Sequence, residues 1–508
     1  MKESQFKKTI RINELLKGIT YRCDSSLRES TIKGISLDSR KVSKDYLFFA
    51  VDGFSQNGNS FINEALENGA SVILSDEEHN SDKIIFIPNL RWHIGYIASR
   101  FYGDPSKGLE IFVVTGTNGK TTCVESIAQI GNLLGIRTGY ISTIGCFLEG
   151  VNLNSNSSLT TPSPVDLQRI LYEMKDKEIE LVAIEASSHG LDQFRLIGVE
   201  IDVGILTSFS HDHLDYHKGM DHYAKAKLKL FTELSPKIAI LSEKAVAEPV
   251  FEQEMKRLNW PSKNTRTKVI YLDTNVMEHN SQGKVGVWGE TCDFGLDTIS
   301  KSLALNVKCA LSAFEAKGYD LNKVNHLLHR LKFPKGRMEE IELSPKDKCF
   351  IDYAHTPQAL GASLESIQEA FSVFDNKVDQ IKIGEVSNPD IWCIFGCGGE
   401  RDKKKRPLMA EIAEAMADHV VVTNDNPRKE NKHKIIEEIA SGFRSKTSFK
   451  VILDRKEAIY YCLNKMAISN KSNVLLIAGK GHEEYQEIND KKIPFSDKDV
   501  VDYYKNNS

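Results

Sequence analysis

A series of short apolar runs, rich in β-branched residues and polar at their carboxyl ends, constrains this chain more than any other feature. IFVVT, LVAIEAS, VGILTS and IAILS come first, and CFIDYAH, IWCIFGCGG, HVVVTND and VLLIAGKG follow. Helical patterns separate them, so they read as buried strands of parallel sheets with crossover helices. Ligands of open parallel sheets bind beyond the carboxyl ends of the strands. Here those ends read TGTNGKTT, EASSHG, TSFSHDHLD, DYAH, GCGGERD, TNDNPR and AGKGHE. Two such sheets facing each other across a cleft would make an enzyme with two substrates.

A length of 508 residues calls for two to four domains at roughly 100–200 residues each. A break at Gly103-Asp104-Pro105-Ser106 and another at Pro334-Lys335-Gly336-Arg337 suggest segments 1–108, 109–336 and 337–508. The fold class expected is α/β. A formal net charge of -4 provides no general attraction for nucleic acid. Nine cysteines, an odd number and with no CxxC pair, argue against a disulfide framework or a structural zinc. The N-terminal residues lack the apolar stretch of a signal peptide, and no run is long enough to span a bilayer. A cytoplasmic protein, not membrane-embedded, is expected.

Gly116-Thr117-Asn118-Gly119-Lys120-Thr121-Thr122 follows IFVVT and opens a helix. Backbone N–H groups in such a loop cradle phosphate oxygens, the lysine neutralises them, and a hydroxyl reaches Mg²⁺. The loop departs from the strict phosphate-loop pattern, with Val114 where its first glycine belongs. Asn376-Lys377-Val378-Asp379 spells a guanine-reading motif, but it follows no buried strand and reads as chance. Glu185 closes LVAIEAS, a good place for a carboxylate that holds Mg²⁺. Asp212, His213, Asp215 and His217 cluster after VGILTS. They read either as structural or as a hard-cation cluster beside ATP. In DHYAKAKLKLFTEL, at about 100° per residue, Lys227 falls on the stripe of Tyr223, Leu230 and Phe231, with Lys225 and Lys229 toward solvent. A free ammonium on a packed face is costly. Lys227 therefore either snorkels out along its stem or is modified or paired with metal. Lys403-Lys404-Lys405-Arg406 reads as the solvated start of a helix.

Taken in order, these blocks resemble the Mur ligases over nearly the whole chain, and among them the MurE branch. LDSRKVSKDYLFFAV is similar to the uridine-nucleotide segment and TGTNGKTT to the ATP loop. TTPSP, EASSHGL and SFSHDHLDYHKGMDHYAKAK are similar to the central domain. GRME, DYAHTP, FGCGGERDKKKRPLM, TNDNPR and AGKGHEEYQ are similar to the C-terminal domain. The resemblance implies a UDP-binding α/β domain, a central ATPase domain with a parallel sheet, and a Rossmann-like C-terminal domain. It also implies the reaction. ATP phosphorylates the terminal carboxylate of UDP-N-acetylmuramoyl-L-alanyl-D-glutamate, and a diamino acid attacks the acyl phosphate, in peptidoglycan synthesis. The cofactors implied are ATP and Mg²⁺, and the partners are these small molecules. A monomer is expected.

Carried over by position, Leu37, Ser39, Phe54, Ser55 and Gln56 would lie at the uridine nucleotide. Thr160, Thr161, Ser187, Gln193 and Arg195 would bind the muramoyl-peptide. Gly116, Thr117, Asn118, Gly119, Lys120, Thr121, Thr122, Asn306, Arg337 and Asp352 would bind ATP. Lys120, Glu185, His213 and Lys227 would be catalytic. Lys227 would be carbamylated, and with Thr121, Glu185 and His213 it would hold metal. Arg401, Asp425, Asn426, Pro427, Arg428, Gly479 and Glu483 would form the amino-acid pocket. The chain departs from the pattern at Leu159, where some relatives have asparagine, at Cys309, where an asparagine is usual, and in a longer stretch between Phe371 and Ile391. The rival readings are a folylpolyglutamate synthetase, which shares only the ATP loop, and a nucleotide-binding regulator without chemistry. The DNPR segment resembles that of the enzymes adding meso-diaminopimelate, whose far carboxylate Arg428 and Arg401 would bind. Lysine or ornithine stays open if Glu400 or Glu430 neutralises Arg428.

Overall fold

The computed structural model describes residues 9–23, 25–53, 56–148, 151–152, 159–276, 285–288, 293–372, 388–445 and 447–507. Phe54, Ser55, the 376–379 motif and most of the stretch between Phe371 and Ile391 lie outside them. The architecture is mixed α/β, built on three parallel-stranded sheets along the chain.

The first sheet orders Gly34–Ser36, Tyr46–Ala50, Ala70–Ser75 and Ile84–Phe86, all parallel. Leu90–Phe101 closes it as a helix that buries Leu90, Ile94, Ile97, Ala98 and Phe101. The chain leaves this helix through Gly103, which is left-handed at φ 75°.

The central sheet is built around Glu110–Thr115. Leu181–Glu185 pairs parallel on one side and Val203–Leu206 on the other, with Ile238–Ser242 and Lys268–Leu272 continuing outward. Successive residues of the central strand serve opposite faces. Ile111 and Val113 enter one apolar cluster, and Phe112 and Val114 enter another. Burial on both faces is why the strand reads as a continuous apolar run. Each such side chain, fully buried, contributes about 1.5–3 kcal/mol. The helix Lys301–Lys317 packs on the second face, capped by Ser300 at its start and by left-handed Gly318 at its end. Its Leu303 also joins the C-terminal core, so the helix ties the two units together.

The third sheet orders Glu339–Glu342, Asp347–Asp352, Asn473–Ala478, Asp390–Phe395, His419–Val422 and Phe449–Val451. Its strands are parallel except the first, which is antiparallel. The central sheet likewise carries antiparallel edges, Gly145–Leu148 and Val151–Asn152, where a turn pairs Ser142 with Gly145. These edges were absent from the sequence expectation, because short half-exposed strands lack an apolar run.

Candidate active site

The phosphate loop is shaped by what crowds it. A Cβ at Gly116 would lie 2.0 Å from Thr207 Oγ1, and one at Gly119 would lie 2.1 Å from Asn306 Oδ1. Gly119 is also left-handed, at φ 87°, as it hands the chain into the helix Lys120–Leu133. Thr207 Oγ1 donates to Asn118 O at 2.6 Å, and Ser208 Oγ accepts from Asn118 N at 2.9 Å, fastening the loop to the next strand end. No side chain caps the helix, so its first N–H groups face the loop, an arrangement suited to anions. Lys120 Nζ donates to the carbonyls of Gly116 and Thr117, both at 2.9 Å. Burial lowers its pKa, opposed by the charges of Glu185 and Asp212. Beside the loop a cavity of about 160 Å³ is lined by Asn118, Gly119, Thr122, Asn306, Arg337 and Asp352, among others. Arg337 lies 4.5 Å from the centre of the Tyr353 ring. Asp352 is buried, which raises its pKa, and it accepts from Ser363 Oγ.

Glu185 is fully buried at the end of its strand, and its oxygens accept from Thr143 N at 3.3 Å and Thr143 Oγ1 at 3.0 Å. Lys227 is 1% exposed on the helix Met220–Thr232. Its ammonium lies 4.5 Å from the centre of the Tyr223 ring, with no carboxylate partner among the described residues. Burial, reinforced by the charge of Lys120, pushes its pKa well down. A neutral amine there is the form that takes up CO₂. Lys227 does not snorkel. Lys229 departs from expectation in turn: it pairs with Asp192 at 2.9 Å and lies over Phe194, which draws it out of solvent.

The expected cluster after VGILTS divides, because its members find different partners. His217 Nε2 meets Ser188 Oγ at 3.0 Å, and Asp215 is exposed. Asp212 faces His355 at 3.7 Å and Lys405 at 3.8 Å; against the effect of burial, its hydrogen bond with His355 and the nearby Lys405 charge hold its carboxyl well below the usual range. His213 remains beside the lysines. Burial, with Lys120, His189 and Lys227 nearby, pushes its pKa down to about 3, leaving a neutral imidazole. Among the described residues no three His, Cys, Asp or Glu side chains are placed to hold a metal. A donor set of Glu185, neutral His213, the Thr121 hydroxyl and a Lys227 carbamate suits a hard cation in its chemistry, since the carbamate supplies the missing anionic oxygens.

Thr160, Thr161, Ser187, Gln193 and Arg195 form one hydrogen-bonded group. Thr161 Oγ1 donates to Glu185 O at 2.9 Å and accepts from Ser187 N at 3.0 Å, while Thr160 meets Thr143 at 3.1 Å. Arg195 donates to Thr161 O at 2.7 Å and to Gln193 Oε1 at 2.6 Å. These acceptors are neutral, so the guanidinium keeps its charge for an anion. In the first sheet's unit, Ser39 is buried and donates to Glu64 Oε2 at 2.5 Å, Leu37 is half-buried and Gln56 is exposed.

In the C-terminal unit Asn426 is a hub. Its amide donates to Glu483 Oε2 at 2.8 Å, and its carbonyl accepts from Lys480 at 3.1 Å and from Glu487 N at 2.9 Å. Gly479 is left-handed at φ 117°, and a Cβ there would lie 2.6 Å from Asp425 Oδ2. Pro427 leads into Arg428, which is left-handed at φ 51°. Arg401 and Arg428 both flank Gly398, and Arg401 is exposed. Arg428 does meet a carboxylate, though neither of those named above: its Nε donates to Glu487 at 2.9 Å. Glu430 is held instead by Arg406, at 2.9 Å, and by Lys403, at 3.0 Å. The expected solvated helix start is therefore half wrong. Arg406 is fully buried, its Nη atoms donating to Glu430, Glu438 and Gly398 O while its Nε has no partner among the described residues, and Lys405 is 6% exposed.

The carboxyl ends of the central and C-terminal sheets meet. Asn118 reaches Thr356 at 3.4 Å, and His211 pairs with Asp402 at 2.6 Å. Thr143, Asp402, Lys480 and Glu487 contact expected site residues or bridge the seam and were not singled out from sequence, and Tyr223 was named only as part of the packed stripe. The position of Lys480 between two glycines was the one usable signal.

Family models match three stretches: "Mur ligase family, catalytic domain" over residues 31–100, "Mur ligase middle domain" over 114–314, and "Mur ligase, glutamate ligase domain" over 336–481. The chain is 38% identical over 481 residues to the UDP-N-acetylmuramoyl-L-alanyl-D-glutamate–2,6-diaminopimelate ligase of Rickettsia bellii, covering 92% of this chain and 95% of that one. It is 36% identical to the ligase of the same name from Coxiella burnetii, covering 92% and 94%. Among solved structures, one titled as a ligase of that name superposes with a TM-score of 0.67 at 29% identity, covering 98% and 99% of the two chains. A Mycobacterium tuberculosis folylpolyglutamate synthase, covering 76% of this chain and 92% of its own, shares the fold at a TM-score of 0.60 and 17% identity.

Proposed function

The chain belongs to the Mur ligase family of ATP-dependent ligases, and from that membership we propose that it joins meso-2,6-diaminopimelate to UDP-N-acetylmuramoyl-L-alanyl-D-glutamate in the cytoplasm. The observation that carries the reading is the seam. The phosphate loop and the Thr161–Arg195 group follow strand ends of the central sheet, the Asn426–Glu483 hub follows strand ends of the C-terminal sheet, and the two sets of ends meet at Asn118–Thr356 and His211–Asp402. The names of the relatives support diaminopimelate over other amino acids.

In this reading the ATP phosphates lie on the N–H groups of residues 116–122, with Lys120 against the transferred phosphoryl group. Asn306, Arg337 and Asp352 hold the rest of the nucleotide. Leu37, Ser39, Phe54, Ser55 and Gln56 hold the uridine end of the second substrate, and Arg195 with Thr160, Thr161, Ser187 and Gln193 holds its peptide. The terminal carboxylate of D-glutamate attacks the γ-phosphorus, the bond to the β-γ bridging oxygen breaks, and ADP leaves. The amine of the amino acid, held by Arg401, Asp425, Asn426, Arg428 and Glu483, then attacks the acyl carbon. The C–O bond to phosphate breaks, phosphate leaves and the amine loses a proton. Mg²⁺, held by Thr121, Glu185, His213 and carbamylated Lys227, would supply neutralisation of phosphate charge. Closure of the seam over the bound substrates would exclude water, which would otherwise hydrolyse the acyl phosphate.

Phosphate release from ATP tests the reading against a regulator without chemistry. It should require both the muramoyl-dipeptide and an amino acid. Release with ATP alone at the same rate, or none under any combination, would remove the proposal.

A further inference from the structure

The carboxylate beside Arg428 is set there by the backbone. Arg428 lies against the strand Tyr485–Ile488, with its N donating to Glu487 O at 3.0 Å and its O accepting from Asn489 N at 3.0 Å. Glu487 N is in turn taken by Asn426 Oδ1 at 2.9 Å, so Glu487 cannot move without disturbing the Asn426 hub. From this frame the side chains engage on one edge only. Arg428 Nε donates to Glu487 Oε2 at 2.9 Å and Arg428 Nη1 to Gly399 O at 2.8 Å. Among the described residues Arg428 Nη2 and Glu487 Oε1 have no hydrogen-bond partner. Both side chains are partly open, at 18% and 29% exposure.

A guanidinium donor and a carboxylate acceptor, side by side and each with one site open, complement a group that carries a carboxylate and an ammonium on one carbon. The far end of diaminopimelate is such a group. Lysine and ornithine present only the ammonium there. Of the two carboxylates near the Asn426 hub, Glu487 is the one paired with Arg428, whereas Glu483 Oε2 accepts from Asn426 and from Lys480 at 2.8 Å each. We propose that Glu487 determines specificity jointly with Arg428, accepting the far ammonium of the amino acid while Arg428 donates to the far carboxylate. This rests on the functional reading above and deepens it.

The test uses three amino acids with the full-length enzyme: meso-diaminopimelate, L-lysine, and 2-aminopimelate, which keeps the far carboxylate but lacks the far ammonium. In the wild type, diaminopimelate should exceed 2-aminopimelate in kcat/KM by about tenfold or more. Glu487→Ala should erase most of that preference through KM, with 2-aminopimelate little changed. Glu487→Gln keeps an acceptor for Arg428 Nε and should give an intermediate preference, which separates a lost charge from a lost fold. If Glu487→Ala lowers both substrates equally, Glu487 only positions Arg428 and the proposal falls; if it lowers neither, the proposal falls as well. A wild type that turns over lysine faster than diaminopimelate overturns the functional reading itself, whatever the variants do.

Discussion

Lys120 and Lys227 are the residues on which the proposed chemistry rests, and both are buried. Lys120 is steadied by loop carbonyls and by the charges of Glu185 and Asp212. Lys120→Ala should fold normally yet slow ligation by the equivalent of about 3 kcal/mol or more, as loss of a positioned charge at a phosphoryl group does. Near-normal turnover of the purified variant would place the phosphates elsewhere. Lys227 has an aromatic face and, among the described residues, no carboxylate partner, so Lys227→Ala should lose activity that a small carboxylic acid partly restores. Lys225→Ala, on the exposed side of the same helix, should be close to wild type; the reverse ranking would remove the carbamate. Glu125 was not suspected from sequence. One of its oxygens is buried without a hydrogen bond, and burial, with Glu185 nearby, raises its pKa from 4.5 to about 7. The folded state therefore binds this proton more tightly than the unfolded chain. The contribution to stability is complete below pH 4.5 and is lost as pH rises through about 7. Glu125→Gln should reduce the drop in Tm between pH 5 and pH 8; an unchanged drop would show that the carboxylate is solvated.

At the scale of elements, the strands that point into the site were legible because burial on both faces leaves a long apolar signature. The loop after Glu110–Thr115 was legible for a steric reason. Gly119→Ala would force a side chain onto a left-handed backbone, at roughly 1–2 kcal/mol, and onto Asn306 Oδ1. The variant should bind ATP at least tenfold more weakly, by titration calorimetry, with the muramoyl-dipeptide affinity retained; unchanged ATP affinity would mean that the loop does not hold the nucleotide. Helix geometry identified Lys227 from its stripe but misjudged Lys229, whose partner Asp192 lies on a separate helix. The antiparallel edges and the Tyr485–Ile488 hairpin strand were illegible, since their registers are set by partners far along the chain.

For the whole molecule, a two-substrate cleft was readable from polar strand ends alone, but which ends touch was not. His211 with Asp402, and Asp212 with His355 and Lys405, join residues more than a hundred positions apart. Nothing local in the sequence marks such pairs. The same applies to Glu487, which meets Arg428 in place of the candidates Glu400 and Glu430. The central claim is that this seam unites ATP, a muramoyl-dipeptide and diaminopimelate. Its most direct test is kcat/KM for meso-diaminopimelate, L-lysine and L-ornithine on the wild type and on Arg428→Ala, with the product mass determined. The account predicts a strong wild-type preference for diaminopimelate, a product heavier than the dipeptide substrate by one diaminopimelate less water, and a preference largely lost in Arg428→Ala. Preference for lysine or ornithine, with Arg428→Ala changing little, would contradict it.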